Sequence, residues 1–229
     1  MANTPTWLAS VCQILLIIAM PVILVVSPLY VFVTPAFVRH EYSRKEFGHA
    51  DRFDDQERLR ISDTILHYLR DRTTLQEMAA MRTVAGEIAL KDDEVQHLVD
   101  VKMVMQACFL AHKIALIMGV ICSLVLWRSA QRALLPTSLR RGVWLTAGLM
   151  RLIALSSIID FDLFFTRFHQ VFFEANTWMF HQRDTLIQLY PLHFWSDTVW
   201  KIALVILMEA GLSYLLSYVL QALTSPGKA

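Results

Sequence analysis

The sequence predicts an all-α polytopic membrane protein, with four transmembrane helices and a helical extracytoplasmic cap. Three observations carry that expectation. Hydrophobic residues make up 55% of the 229 residues and charged ones only 18%, with a mean hydropathy of +0.45, too apolar for an ordinary soluble domain. Four separate apolar stretches are each long enough to cross a hydrocarbon core, which takes roughly 20 helical residues. A short connection between two of them is rich in arginine.

The four stretches run from about 8–35, 103–127, 142–165 and 200–223. The first lacks a basic leader and a small-residue cleavage site, and its apolar run is too long for a secretory signal. It reads as a retained span, bent at Pro21 and Pro28. The connection 128–141 holds four arginines and no acids, which marks it as the cytoplasmic loop. Both termini then face the cytoplasm, and segments 36–102 and 167–199 face the other side. The former carries 11 basic and 14 acidic residues and the latter two and three. Tryptophans agree, with Trp7, Trp127 and Trp144 at the inner boundary and Trp178, Trp195 and Trp200 near the outer one. Residues 1–229 read as one membrane domain.

Segment 36–102 is too long to be structureless. From Asp54 to Arg72, Ile61, Ile65, Tyr68 and Leu69 share a helical face. From Leu75 to Leu90, Met78, Met81, Ala85 and Ile88 recur at three- and four-residue steps. Two amphipathic helices fit, packed on the bundle or lying on the membrane surface. Asp93 with Gln96 resembles a capping box, and Asp92, Asp93 and Glu94 suit the positive end of a helix that continues into the second span. His97 then stands about 10–15 Å above the hydrocarbon at 1.5 Å per residue. If the third span continues through Phe168, His169 stands at roughly 10 Å by the same arithmetic.

Ionisable residues inside spans normally face the bundle and find partners. Arg151 and Glu209 fall near mid-membrane and are expected to pair; Lys113 is placed to reach Asp160 or to snorkel outward. His97 has Asp93 and Asp100 as helical neighbours, while Asp160 and Asp162 lie one to two turns from His169. Either histidine alone reads more readily as a structural or surface group than as a catalyst, and His40, His49, His67, His181 and His193 rank lower. No paired His spacing suggests a metal, and Cys12, Cys108 and Cys122 lie in apolar stretches with no ligand spacing. No nucleophile elbow is present either, so a reaction here draws its nucleophile from the substrate. A net charge of +1 gives no reason to expect nucleic acid.

Two runs resemble a known family. Glu94-Val95-Gln96-His97-Leu98-Val99-Asp100-Val101-Lys102 is similar to one signature of the bacterial lipoprotein intramolecular transacylases. Phe168-His169-Gln170-Val171-Phe172-Phe173, followed by Trp178, Asp184-Thr185-Leu186-Ile187, Leu189-Tyr190-Pro191 and Phe194-Trp195-Ser196-Asp197, resembles a second. Phe180-His181-Gln182-Arg183 stands where that pattern is expected to hold a proline. The resemblance implies movement of the sn-2 acyl chain of a diacylglyceryl group to the α-amino group of the same N-terminal cysteine, giving a lyso-form lipoprotein. It implies His97 and His169 as catalytic residues, diacylglyceryl-modified lipoproteins and membrane lipid as partners, no cofactor, and a site at the outer leaflet of the bacterial cytoplasmic membrane. Asp100, Asp162, Arg167 and Trp178 are candidate supporting residues, the last two as oxyanion donors. The aromatic run Phe164, Phe165, Phe168, Phe172 and Phe173 is a candidate acyl-chain lining. A non-enzymatic lipid- or lipoprotein-binding protein, or a proton-coupled carrier using Asp160, Glu209 and Lys113, are the other readings.

Overall fold

The computed structural model describes residues 5–44, 50–174 and 177–224; His49 lies outside them. Among the described residues the regular structure is helical: α1 (Thr6–Val26), α2 (Leu29–Phe32), α3 (Pro35–Tyr42), α4 (Asp55–Leu69), α5 (Leu75–Ala79), α6 (Asp92–Arg128), α7 (Leu134–Ile159), α8 (Phe161–Phe172), α9 (Thr185–Leu189) and α10 (Leu192–Thr224). Four helices are long and apolar enough to cross a membrane: Thr6–Phe32, Asp92–Arg128, Leu134–Ile159 and Leu192–Thr224. No more than 33% of the most apolar window of any of them is buried. Leucines and isoleucines left outward at that density fit a lipid surround and would aggregate in water.

The chain divides into two compact units. The first comprises residues 1–28, 108–156 and 203–229 and is built from lengths of α1, α6, α7 and α10. Ala9, Cys12, Leu16, Cys122, Leu126 and Leu135 form its buried cluster, which gives the two cysteines a packing role. Gly142 lets α7 approach α1 closely: a β-carbon there would lie 2.5 Å from Met20 Cγ and 2.6 Å from Met20 Cβ. Close backbone approach at small residues is how helices associate without a hydrophobic drive from water. Helix α1 runs through Pro21 and stops before Pro28. The expected Arg151–Glu209 pair does not form among the described residues. Glu209 instead accepts a hydrogen bond from the Ser27 hydroxyl, while Arg151 is exposed.

The second unit comprises residues 29–107 and 157–202. Asp54 caps α4 by accepting from the Glu57 N–H at 2.7 Å. Ile61, Ile65, Tyr68 and Leu69 are all buried, as their spacing predicts. Val38, Leu66 and Phe194 join α3, α4 and α10 in one cluster. Beside it the Ser62 and Tyr190 hydroxyls are 2.7 Å apart and the Tyr42 hydroxyl donates to the Leu189 carbonyl at 2.9 Å.

Three expected elements differ. The helix anticipated over Leu75–Leu90 is only α5, started by a Thr74/Glu77 capping box. Beyond it the chain turns back on itself: the Ala89 N–H donates to the Met81 carbonyl at 2.9 Å and the Thr83 N–H to the Glu87 carbonyl at 2.8 Å. Gly86 stands at φ +85°, where a side chain would be strained, and β-branched Thr83 and Val84 resist helix. Met78 and Met81 are buried, but Ile88 is exposed. The loop expected over 128–141 shrinks to residues 129–133, so Arg140 and Arg141 ride on α7. Most consequentially, the third span does not continue to Phe168. It ends at Ile159, and Asp160 opens α8 from an extended backbone, its carboxylate accepting from the Leu163 N–H at 2.9 Å. A short acidic side chain that bonds the chain ahead of it starts a helix better than it continues one.

Candidate active site

His97 and His169 come together within the second unit. Their ring centroids are 6.2 Å apart and their planes differ by 24°. Both side chains are buried, with 8% and 9% of their surface exposed.

His97 stands in the second turn of α6. That helix is not opened by the expected Asp93/Gln96 box. The reaching carboxylate belongs to Glu94, whose Oε2 accepts from the Lys91 N–H at 3.0 Å. Its other oxygen accepts from the Leu186 N–H at 2.7 Å, tying α9 to the start of α6. Asp184 adds a second tie: it accepts from the His181 N–H at 2.8 Å and forms an ion pair with Lys91. The turn at Phe180–Arg183, where the resemblance anticipates proline, is thus held by a carboxylate. These bonds bring Phe180 to 5.5 Å from the His97 ring.

His169 occupies the last turn of α8. Its Nδ1 lies 2.8 Å from the Phe165 carbonyl oxygen. A carbonyl only accepts, so Nδ1 carries the proton in the neutral ring and Nε2 keeps its lone pair. Aromatic rings enclose both imidazoles: Phe165 at 4.1 Å and Trp178 at 4.8 Å from His169, and Phe173 at 5.0 Å from His97 and 5.5 Å from His169. Burial among them pushes the His169 pKa below its usual 6.5, partly offset by the bond to the Phe165 carbonyl. The folded state therefore takes up its proton less readily than the unfolded chain. Stability is complete above pH 6.5 and falls as the pH drops from there towards the folded value. The expected result is a melting temperature that declines between pH 7 and pH 5.5, with a shallower decline in H169Q, measured by thermal unfolding in detergent.

Two buried polar atoms at this place have no hydrogen-bond partner among the described residues, His97 Nδ1 and Trp178 Nε1. Unsatisfied buried polar atoms are costly and rare. Two of them in one aromatic pocket leave hydrogen-bonding capacity there for a polar group.

The supporting residues divide. Trp178 is in the pocket. Asp100 lies one turn on from His97, but its carboxylate accepts from Gln96 Nε2 at 3.2 Å, and no hydrogen bond joins it to His97 among the described residues. Arg167 is exposed and donates to Gln170 Oε1 at 3.0 Å; Asp162 is exposed in the first turn of α8. Neither is brought to the imidazoles. Of the aromatic run, Phe165, Phe173 and Phe168 touch the pair, the last edge-on to His169 at 5.6 Å, although Phe168 and Phe172 are both 46% exposed. Phe180, Glu94 and Asp184 are additions that the sequence offered as parts of motifs and not as site residues. The acidic Asp92–Glu94 start was the available signal for Glu94, but nothing local pointed to its partner 92 residues away. Among the described residues no cluster of three or more His, Cys, Asp or Glu side chains is arranged to hold a metal.

A family model for the lipoprotein intramolecular transacylase Lit matches residues 13–195. The chain belongs to that family. Lit transacylases are acyltransferases that act on lipoproteins. An uncharacterised protein of Aquifex aeolicus is 28% identical over 187 residues that cover 81% of this chain and 83% of its own. In meso structures of the membrane-integral Lit from Bacillus cereus share the fold. Two histidine-substituted variants of it each superpose with a TM-score of 0.70 at 20% identity, over 93% of this chain and 91% and 93% of theirs. Four apolar helices in a Lit fold make this a multi-pass membrane protein.

Proposed function

We propose that the protein moves the sn-2 acyl chain of a diacylglyceryl group onto the α-amino group of the same N-terminal cysteine, with His97 and His169 as the acid–base pair. The observation that carries this reading is the buried, nearly parallel pair of imidazoles 6.2 Å apart. Rings that close let one substrate group approach nitrogens of both, as a base and an acid require.

The reaction needs little else. Free α-amines have a pKa near 8, so the substrate attacks through its free-amine fraction, and the nitrogen must then lose a proton for the amide to form. His169 is suited to take it, because the Phe165 carbonyl holds Nδ1–H and leaves the Nε2 lone pair. The amine nitrogen attacks the ester carbonyl carbon, forming the C–N bond of a tetrahedral intermediate. Its collapse breaks the bond to the sn-2 oxygen, which takes up the same proton, passed from His169 through His97. Both rings are neutral again at the end. One proton has moved from nitrogen to oxygen, and no protein nucleophile or second acyl donor enters. Amine and ester belong to one molecule, so the pocket supplies mainly orientation and charge stabilisation.

Trp178 Nε1 supports a role as oxyanion donor: it is buried without a partner, and its ring packs 4.8 Å from His169. Trp178→Phe retains the ring contact and removes the N–H. It is expected to lower the turnover rate by about 10- to 100-fold with little change in melting temperature; an unchanged rate would assign the oxyanion to another donor.

Placement of the pair at the outer leaflet, with both termini cytoplasmic, follows from the arginines at 128–141. Lipidated N-termini reside on that outer side. The deciding experiment expresses the chain in bacteria lacking other N-acylating enzymes and sequences the N-terminal lipopeptide of a reporter lipoprotein by tandem mass spectrometry. An N-acyl cysteine with one acyl chain left on the glyceryl group is expected. An unchanged diacylglyceryl peptide in the presence of folded protein would overturn the reading.

A further inference from the structure

A cavity of about 270 Å³ opens beside the residue where the first membrane-crossing helix ends. The span finishes at Phe32, and the cavity wall begins at Val33 and Thr34. Pro35, Ala36, Arg39, His67, Arg70 and Arg72 line the rest. The space is that of about nine water molecules at roughly 30 Å³ each.

Its charge is one-sided. Asp63 pairs with Arg39 at 2.8 Å. Arg70 is braced from behind, its guanidinium over the Tyr30 ring at 5.6 Å and donating to the Tyr30 carbonyl at 3.4 Å. Arg72 has no ion pair among the described residues. The neighbouring Asp71 is committed elsewhere, to Lys102 at 2.7 Å and to Gln106. The first turn of α3 faces the same cavity. Thr34 caps that turn by accepting from the Phe37 N–H, and its positive helix end adds to the arginines. With Arg39 answered by Asp63, the exposed Arg72 and the positive end of α3 leave a cationic surplus in a concave site, and arginine forks match the oxygens of a phosphoryl group.

We propose that this cavity binds the phosphoryl group of a membrane phospholipid. The depth selects the source. A cleft whose wall starts at the residue following a membrane span lies at the level of the headgroups, where phosphodiesters are the abundant anions. Val33, at the cavity's edge, offers an apolar contact for the glyceryl end. The lipid substrate proposed above carries no phosphate, so this ligand is a separate molecule and its binding does not depend on the transacylase reading.

The test uses the purified full chain in neutral detergent, titrated with dioctanoyl phosphatidylglycerol, inorganic phosphate and dioctanoylglycerol and followed by thermal shift. Saturable binding of the phospholipid is expected, with no response to dioctanoylglycerol and phosphate weaker by about tenfold. R39Q/R72Q is expected to lose about tenfold in affinity, whereas R128Q/R183Q, with the same loss of charge at exposed positions elsewhere, retains it. The single R72Q variant, which breaks no described ion pair, is expected to lose about threefold. It decides the matter if the double variant does not fold. Wild-type affinity in R72Q and R39Q/R72Q would overturn the site. Phosphate binding as tightly as the phospholipid would overturn the lipid source in favour of a free anion.

Discussion

His97→Ala and His169→Ala are each expected to slow formation of the N-acyl lipopeptide by about 10²–10⁴-fold, the range for loss of a positioned general acid or base. The double variant should be little worse than either single one. Groups that pass one proton between them act as a unit, so removing the first leaves the second with nothing to do. Such non-additivity separates catalysis from packing. Were the two rings only filling space among Phe165, Phe173, Trp178 and Phe180, each truncation would lower the melting temperature and the losses would add. His97→Asn and His169→Asn retain polar atoms without a titratable ring, and they should stay as inactive as the alanine variants while melting closer to the parent. Initial rates by mass spectrometry of the reporter lipopeptide, with melting temperatures alongside, check both halves. Full conversion by either alanine variant would remove that residue from the chemistry.

The largest structural effect is expected at Glu94. Its side chain is fully buried, 0% exposed, and its two oxygens accept from the Lys91 and Leu186 backbone N–H groups at 3.0 and 2.7 Å. Glu94→Ala strips a partner from the Leu186 N–H in a place water does not reach. Leaving a buried donor unsatisfied costs about 1–3 kcal/mol, and the start of α6 loses the side chain that closes its first turn, worth about 1 kcal/mol more. A loss of about 2–4 kcal/mol is therefore expected, read as a lowered melting temperature. Glu94→Gln keeps one accepting oxygen and should fall between. Activity should follow stability, because the same bond holds the segment after Phe180 beside His97. A normal melting temperature in Glu94→Ala would show that water or a neighbouring group takes over the bond.

Hydropathy alone located the four spans, since a helix in lipid must be apolar over its crossing length whatever it packs against. The buried stripe Ile61, Ile65, Tyr68 and Leu69 was equally legible, being a property of one helix and its own face. Errors arose where two local signals compete. Met78, Met81, Ala85 and Ile88 satisfy a helical period, yet the turn needed by Gly86 prevails and leaves Ile88 outside. Asp160 sits in an apolar run that reads as a continuous span, yet its capping carboxylate divides α7 from α8. Arg151 and Glu209 looked like partners because they share a depth; Ser27, whose hydroxyl engages Glu209 instead, carries no charge to announce it.

The sequence by itself determined that this is a four-span helical membrane protein, and its two histidine-bearing runs resembled the transacylase family to which the chain belongs. Those are properties of composition and of residues close together along the chain. The meeting of His97 and His169, the tautomer set by Phe165 and the unpartnered Trp178 N–H were decided only by tertiary structure. So was the bond from Leu186 to Glu94 that holds the pocket's edge. Apart from the Phe165 bond, which lies within α8, each depends on the direction of side chains from elements far apart in the chain, and helical spacing fixes depth along an axis without fixing which face meets which neighbour.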